Sequence, residues 1–285
     1  MRKYTLVLRT VAPDMTSYGG FVWPKEGPVE CPDWDPTPEC GHGLHGLAWG
    51  MGNADLIDAS EGRVWLLVKV ATADLVDLDG KVKFPRGTVV YCGDRVGATG
   101  HLVQRAPAGT VCHFAMATAG NYGTATAGNN GTATAGNNGT ATAGNNGTAT
   151  AGYNGTATAG NYGTATAGYN GTATAGYNGT ATAGNNGTAT AGRYGTATAG
   201  SYGTATAGDG GTATAGDGGM ATAGYEGTAT AGSYGTATAG RYGTLVLRLW
   251  DGKRYRLVVG YVGENGIRPH TPYRLNAEGE FEEAK

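Results

Sequence analysis

The central part of the chain is predicted to form a parallel β-solenoid with about sixteen residues per coil, between a small α+β N-terminal domain and a C-terminal β-hairpin cap. Three observations predict the solenoid. An octapeptide, Gly-Thr-Ala-Thr-Ala-Gly-X-X, recurs with its first Gly at 123, 131, 139 and every eighth residue to 243. Its Thr-Ala-Thr-Ala core alternates with the period of a strand, and branched Thr suits a pleated surface. The remaining Gly-X-X-Gly is turn chemistry, with pairs such as Asn130-Gly131 and Asn154-Gly155 that tolerate positive φ.

Each octapeptide is therefore one strand and one corner. Eight extended residues reach only about 27 Å, too little to close a coil around an interior. Two octapeptides per coil give two strands, two corners and a thin core, stacked as two parallel sheets. The alternative, an antiparallel meander, is a single layer with no buried face and is hard to stabilise in water. Counting a degenerate first unit from Ala115, sixteen units make eight coils. Odd and even units do not differ consistently, so the two faces should be near-equivalent.

Alternation places Ala on one side of each strand and Thr on the other. "GTLVLRLW" (Gly243 to Trp250) keeps the phase but replaces the two Ala by Leu245 and Leu247, which marks the Ala side as the core. Met116 and Met220 stand in place of the first Thr of their units and point the other way. With Thr outward, the candidate surface-binding residues are Thr124, Thr126, Thr132, Thr134, Thr140, Thr142, Thr148, Thr150, Thr156, Thr158, Thr164, Thr166, Thr172, Thr174, Thr180, Thr182, Thr188, Thr190, Thr196 and Thr198. Neighbouring Thr would lie ~7 Å apart along a strand and ~4.8 Å apart between rungs. Such a lattice of methyl and hydroxyl groups is suited to ordering water. Thr also stabilises a sheet through its neighbours with no ligand at all.

"AGYNGTATAGYNGTAT" (Ala167 to Thr182) resembles the octapeptide repeats of bacterial ice nucleation proteins. The resemblance implies sixteen-residue coils, a Thr-x-Thr array that meets ordered water or ice, and a Tyr ladder linked to self-association. Tyr153, Tyr169, Tyr177, Tyr194 and Tyr202 are the candidates for that ladder here. Two departures stand out. Both half-coils are alike in this chain, and Tyr moves between the seventh and eighth positions of the unit, which should break a continuous ladder. The short array is more similar to antifreeze proteins, which bind ice without nucleating it. The layout as a whole resembles bacterial and phage proteins with a Gly-Leu-His N-terminal domain followed by short Gly/Ala/Thr repeats. "GGFVWP" (Gly19 to Pro24), "ECGHGLHG" (Glu39 to Gly46) and "GIRPHTPYRL" (Gly266 to Leu275) carry that second resemblance, which implies no activity.

Composition divides the chain into a head at 1–110, the repeat at 115–242, and a hairpin cap with an acidic tail at 243–285. In the head, Lys3–Val11, Arg63–Ala71, Lys81–Phe84 and Thr88–Gly93 read as strands, and a short helix is expected within Ala48–Ala59. "PDWDPTPECGHGLHG" reads as a loop rich in turn formers. It brings together Cys31, Cys40, His42 and His45, ligand types for zinc, at a spacing matching no zinc pattern; no metal is expected. Free buried thiols are expected for the cysteines. Arg9 and the "GLHG" around His45 resemble ADP-ribosyltransferase-type folds, an enzymatic alternative for the head with the solenoid as spacer. "TLVLRLW-DG-KRYRLVVG" (Thr244 to Gly260) is a hairpin signal around Asp251-Gly252. The tail "NAEGEFEEAK" is acidic and expected to be mobile.

Composition also narrows function. A formal charge of −2 and a repeat with five charged side chains argue against nucleic acid and anionic membranes as partners. No apolar run is long enough to span a membrane. No phosphate-cradling loop or calcium repeat is present, so no cofactor is expected. The start, "MRKYTLVLRTVAPD", makes a poor secretory signal; a cytoplasmic location is the default expectation, with export by another route left open. The sequence thus favours a non-enzymatic repeat protein. It would bind ice or another ordered surface through Thr, or serve as a structural or adhesive rod, such as a phage-associated one, that binds a partner through its head or Tyr/Asn corners.

Overall fold

A computed structural model describes residues 3–107 and 109–284. The chain divides into two compact units, Met1–Met116 with Ala127–Gly131, and Ala117–Thr126 with Thr132–Lys285.

The first unit is built on strands β1 (Tyr4–Val11), β2 (Gly27–Glu30), β3 (Leu44–Ala48), β4 (Val64–Ala71), β5 (Val76–Asp77), β6 (Val82–Phe84) and β7 (Arg86–Gly93), with one helix, α1 (Arg95–Arg105). They form an antiparallel sheet in the order β2-β7-β4-β1-β3-β6-β5. Both faces are covered, which is why β1 and β4 read as near-continuous apolar runs. One face packs Leu6, Leu8, Leu47, Trp65 and Leu67 with Leu102 of α1. The other packs Val7, Leu66, Val68 and Val70 with Trp23, Val29 and Phe84.

Three local expectations are corrected here. The segment expected to hold a helix carries only a 3-10 turn, Ala54–Leu56, capped by the Asn53 side chain. The α-helix lies instead at Arg95–Arg105, where Asp94 caps the first turn by accepting from the Gly97 amide at 2.7 Å. The stretch read as loop ends in a strand, β3, because Leu44 and Leu47 alternate into opposite apolar layers.

The repeat is a β-solenoid. Among the described residues it holds sixteen four-residue strands at eight-residue steps, from β8 (Met116–Ala119) and β9 (Thr124–Ala127) to β22 (Thr228–Ala231) and β23 (Thr236–Ala239). Strands alternate between two parallel sheets, so each pairs with the strand sixteen residues away: Thr132 with Thr148, Thr148 with Thr164, Thr164 with Thr180. From Ala125 to Ala239 the Ala of these strands are 0–4% exposed and form the core. Thr lies outside, and so do Met116 and Met220, both more than half exposed. The Met substitutions are therefore outward exceptions rather than signs of an inward Thr side.

The core is thin because backbones approach closely. A Cβ on Gly179 would lie 2.8 Å from the Ala175 Cβ and 3.0 Å from the Gly163 carbonyl oxygen of the preceding coil. Only Gly fits there. The eighth position of each unit has positive φ, for example 53° at Asn170 and 50° at Asn178, the left-handed conformation in which Asn is favoured.

The last coil closes the sheets. β24 (Thr244–Trp250) pairs in parallel with β22 and carries Leu245 and Leu247, 0% and 1% exposed, into the core where the Ala files end. β25 (Tyr255–Tyr261) returns antiparallel through the Asp251-Gly252 turn. On the other sheet β26 (Tyr273–Leu275) pairs antiparallel with β23 and with β27 (Phe281–Glu283). The acidic tail is therefore folded as a strand, held by Arg274–Glu282 at 2.7 Å and by an Arg268–Glu283 ion pair. Its acids find cationic partners across the hairpin, which overturns the expectation of mobility.

The close approach at Gly179 makes a direct prediction. Gly179→Ala should lower the stability of the solenoid by about 1–3 kcal/mol through overpacking. Asn178→Gly, one residue earlier at a positive φ, should change it by no more than a few tenths of a kcal/mol. Urea unfolding midpoints of the two variants check this; equal midpoints would contradict the packing account.

Candidate functional site

Three features of the molecule carry chemistry: the Thr faces, the corners, and a cationic cluster in the head.

Each Thr face follows from sheet register. In-register pairing at sixteen-residue steps stacks like on like, so Thr132, Thr148, Thr164, Thr180 and Thr196 fall into one file and Thr134, Thr150, Thr166, Thr182 and Thr198 into its neighbour. The opposite sheet does the same with Thr140, Thr156, Thr172 and Thr188 beside Thr142, Thr158, Thr174 and Thr190. Thr124 and Thr126 begin that side, in β9. Along these strands the first Thr is mostly exposed and the second half-buried. The files run beyond the positions singled out from sequence. Thr204, Thr206, Thr212, Thr214, Thr222, Thr228, Thr230, Thr236 and Thr238 extend them by the same octapeptide signal, with Met220 interrupting one file. Among the described residues, no Thr hydroxyl of the repeat makes a side-chain hydrogen bond within the protein; those that do lie outside it, as with Thr5 and Thr72, Thr16, Thr99, Thr110 and Thr271.

The corners have their own logic. An Asn or Asp at the seventh position accepts from the backbone amide of the seventh residue one coil on: Asn137 from Tyr153, Asn161 from Tyr177, Asn185 from Ser201, at 2.9–3.0 Å. This satisfies a donor that the turn would leave open. The Tyr rings stack along both corners. Tyr153 and Tyr169 lie parallel with centroids 5.5 Å apart. On the other corner Tyr162, Tyr177 and Tyr194 meet edge to face at 5.7 Å each. These three alternate between the eighth and seventh positions, so the shift in position does not break the ladder; neighbouring corner positions bring rings within reach. The ladder ends where Gly210 lies under the Tyr194 ring, at a site where a Cβ would come within 2.6 Å of it. Tyr202 likewise has Gly218 beneath it. The five candidate Tyr remain 38–74% exposed.

In the head, the four proposed metal-ligand types do not form one site. Cys31 is buried, Cys40 is exposed beside Lys81 Nζ at 3.0 Å, and His42 pairs with Asp33 at 3.1 Å. His45 sits on β3 against Arg9, whose Nη1 donates to the His45 carbonyl at 3.1 Å. Among the described residues no group of three or more His, Cys, Asp or Glu is placed to hold a metal ion. All four cysteines are free thiols; Cys40 is exposed rather than buried, and Lys81 lowers its pKa. Arg9 and His45 are thus neighbours. Burial, then the charges of Lys81, Arg9 and Lys83, depress the His45 imidazole to about 4. Among the described residues, no helix is long and apolar enough to cross a membrane.

Comparison with known proteins gives a partial similarity. Part of the chain is related to the repeat region of bacterial ice nucleation proteins. An ice nucleation protein of Pseudomonas syringae is 41% identical over 110 residues, covering 37% of this chain and 10% of the relative. One of Xanthomonas campestris pv. translucens is 38% identical over 104 residues, 36% of this chain and 7% of the relative. Ice nucleation protein InaU of Pantoea ananas is 31% identical over 117 residues, 40% of this chain and 11% of the relative. The chain spans about a tenth of the length of the curated relatives it matches. No protein-family model and no solved structure matches it.

Two outcomes follow from the corner and head chemistry. Asn161→Ala leaves the Tyr177 amide without its acceptor and should cost about 1 kcal/mol, whereas Asn161→Asp keeps an acceptor oxygen and most of the stability. Urea midpoints distinguish them. For His45, the folded pKa of about 4 lies below the ordinary 6.5, so the unfolded chain binds more protons between these values. Its contribution to stability is whole above pH 6.5 and is lost as pH falls toward 4. The melting temperature of His45→Gln should fall less over that window than the parent's; an equal fall would exclude His45 as a source of acid sensitivity.

Proposed function

We propose that this chain is a non-enzymatic solenoid protein whose two Thr faces bind ordered water or ice. The observation that carries the reading is the Thr surface itself. It is in register over successive coils, outward on both sheets, and its hydroxyls have no side-chain partner within the protein. At ~4.8 Å between rungs and ~7 Å along each strand, it presents methyl and hydroxyl groups on a two-dimensional lattice. A face in which hydroxyls are already paired would have little to offer water; this one has its hydroxyls free. The similarity to proteins named for ice nucleation supports the same ligand. With eight coils between non-repeat sequences, ice binding and crystal shaping are the proposed activity rather than nucleation.

A second reading rests on the corners. The Tyr162–Tyr177–Tyr194 ladder is aromatic, exposed and continuous, and a second copy could cover it. Self-association through Tyr would then extend the Thr surface.

Thermal hysteresis and ice-crystal shaping test the first reading. The parent should show both. A variant carrying Thr148→Lys, Thr180→Lys and Thr212→Lys should lose a large part of its hysteresis while keeping the circular dichroism of the parent, because these first Thr are exposed and lie two rungs apart, so the new charges are not direct neighbours. No hysteresis in the parent, or the same hysteresis in both, would sink the proposal. Sedimentation of Tyr177→Ser against the parent decides the second reading, which requires a shift toward monomer.

A further inference from the structure

The head contains a pocket unrelated to the Thr faces. It is a small cavity of about 120 Å³ lined by Arg9, His45, Lys81, Gly46, Leu56 and Ile57, among others, with no carboxylate in its wall. A water molecule occupies roughly 30 Å³ of liquid, so the space suits an ion of a few heavy atoms.

Its polar groups are incompletely used. The Arg9 Nε and the His45 Nε2 are both buried, and neither has a hydrogen-bond partner. Arg9 spends one Nη1 proton on the His45 carbonyl, and its guanidinium lies over the Trp23 ring at 4.0 Å. Among the described residues no carboxylate lies within ion-pair distance of Arg9, Lys81 or Lys83, although Lys83 is near enough to Asp35 to lower its pKa; Lys81 donates to the Cys40 thiol and Lys83 to the Glu39 carbonyl. Buried polar groups are nearly always satisfied, and a buried cation without a counter-charge is costly. An unpaired guanidinium, an imidazole and a lysine therefore share the wall of a cavity of ion size, and a buried nitrogen on each of the first two is left unsatisfied.

We propose that this pocket binds a phosphate group, with the Arg9, His45 and Lys81 side chains of its wall as the ligands. A tetrahedral dianion fits better than a carboxylate for two reasons. The guanidinium fork matches phosphate oxygens, and a third oxygen is left for the imidazole or the ammonium. Two permanent cations in a wall without acids balance two negative charges. The effects on titration agree: burial alone holds Arg9 down to about 10, and His45 is kept neutral by burial and by cations that an anion would offset. The phosphate could be inorganic or the end of a phosphomonoester, and the chemistry recognised is the same.

The test is calorimetric titration of the full chain with inorganic phosphate, a sugar phosphomonoester and acetate, at neutral pH and fixed ionic strength. One phosphate per chain should bind, and acetate at least tenfold more weakly. Tighter binding of the monoester or of inorganic phosphate supports the site and identifies its source. Lys81→Met should weaken binding several-fold, and Arg9→Met by tenfold or more. Should Arg9→Met fail to fold, Lys81→Met decides, because that side chain is partly exposed. The His45 imidazole resonances should shift on adding phosphate, and the Lys253→Met control should bind as the parent does. No saturable phosphate binding by the parent, equal binding by Lys81→Met, or acetate binding as tight as phosphate would overturn the proposal. The triple Thr→Lys variant should bind phosphate normally, so this test and the ice test fail independently.

Discussion

The solenoid depends on how closely two backbones can lie. A coil of sixteen residues encloses almost no space, and the two sheets meet through Ala methyls and Gly backbones alone. At Gly179 an added Cβ would intrude on both the strand it follows and the coil beneath it. That single constraint fixes four of the eight positions of the unit as Gly or Ala. It also explains why the octapeptide cannot drift on its inner side: one larger residue must be matched by the whole local stack. Only at the end, where β24 has a hairpin rather than another coil beyond it, do Leu245 and Leu247 enter the core.

Corners obey a different rule and tolerate more. The backbone there must turn with a positive φ at the eighth position, which Asn and Gly adopt readily and Tyr does not. Yet Tyr occupies that position at 122, 162, 194, 202, 234 and 242, with a ring contact along the stack at 162, 194 and 242. Ring contacts along the stack offset part of the conformational cost, since aromatic pairs contribute about 0.5–1.5 kcal/mol each. Asn or Asp at the seventh position also bonds to the next coil, and at Asn161-Tyr162 the amide tie and the ring contact both reach Tyr177. Corners thus tie adjacent coils in two ways, aromatic and amide, singly or together.

The solenoid was legible in the sequence because its physics is local and repeated. Period, strand phase, coil length and the inward side all follow from alternation and from the replacement of Ala by Leu at the end. The head was less legible. Gly97 and Gly100 weaken the helical signal of α1, and its inward stripe is short and small, formed by Ala98, Thr99 and Leu102. β3 was hidden because its neighbours β1 and β6 are distant in sequence and supply the register. The tail strand was hidden for the same reason: Glu282 and Glu283 read as a solvated acidic end until Arg274 and Arg268 are placed beside them. Ring contact between Tyr162, Tyr177 and Tyr194 needed coordinates, because position within the unit and position in space are not the same. Arg9 and His45 were singled out by a resemblance, but their contact and their unpartnered nitrogens are properties of packing that no spacing reveals.

The choice of Thr remains to be accounted for, and stacking accounts for half of it. In-register parallel sheets place identical residues ~4.8 Å apart, so files of Lys or Glu would repel. Files of Val or Ile would expose a broad apolar patch. A neutral, β-favouring and half-polar residue is what such a face tolerates. That argument, however, bears on each file as a whole and not on each rung. A single rung could hold many residues without harm, as Met220 shows, being 54% exposed with Thr204 and Thr236 on either side of it. The corners use this freedom across Asn, Tyr, Ser, Asp, Arg, Glu and Gly, whereas the faces keep Thr at nearly every rung on both sheets. Stability would permit the same variety on the faces as at the corners. A requirement for an unbroken lattice of free hydroxyls would not, and it is the contrast between the two surfaces of one coil that gives the Thr faces their functional weight.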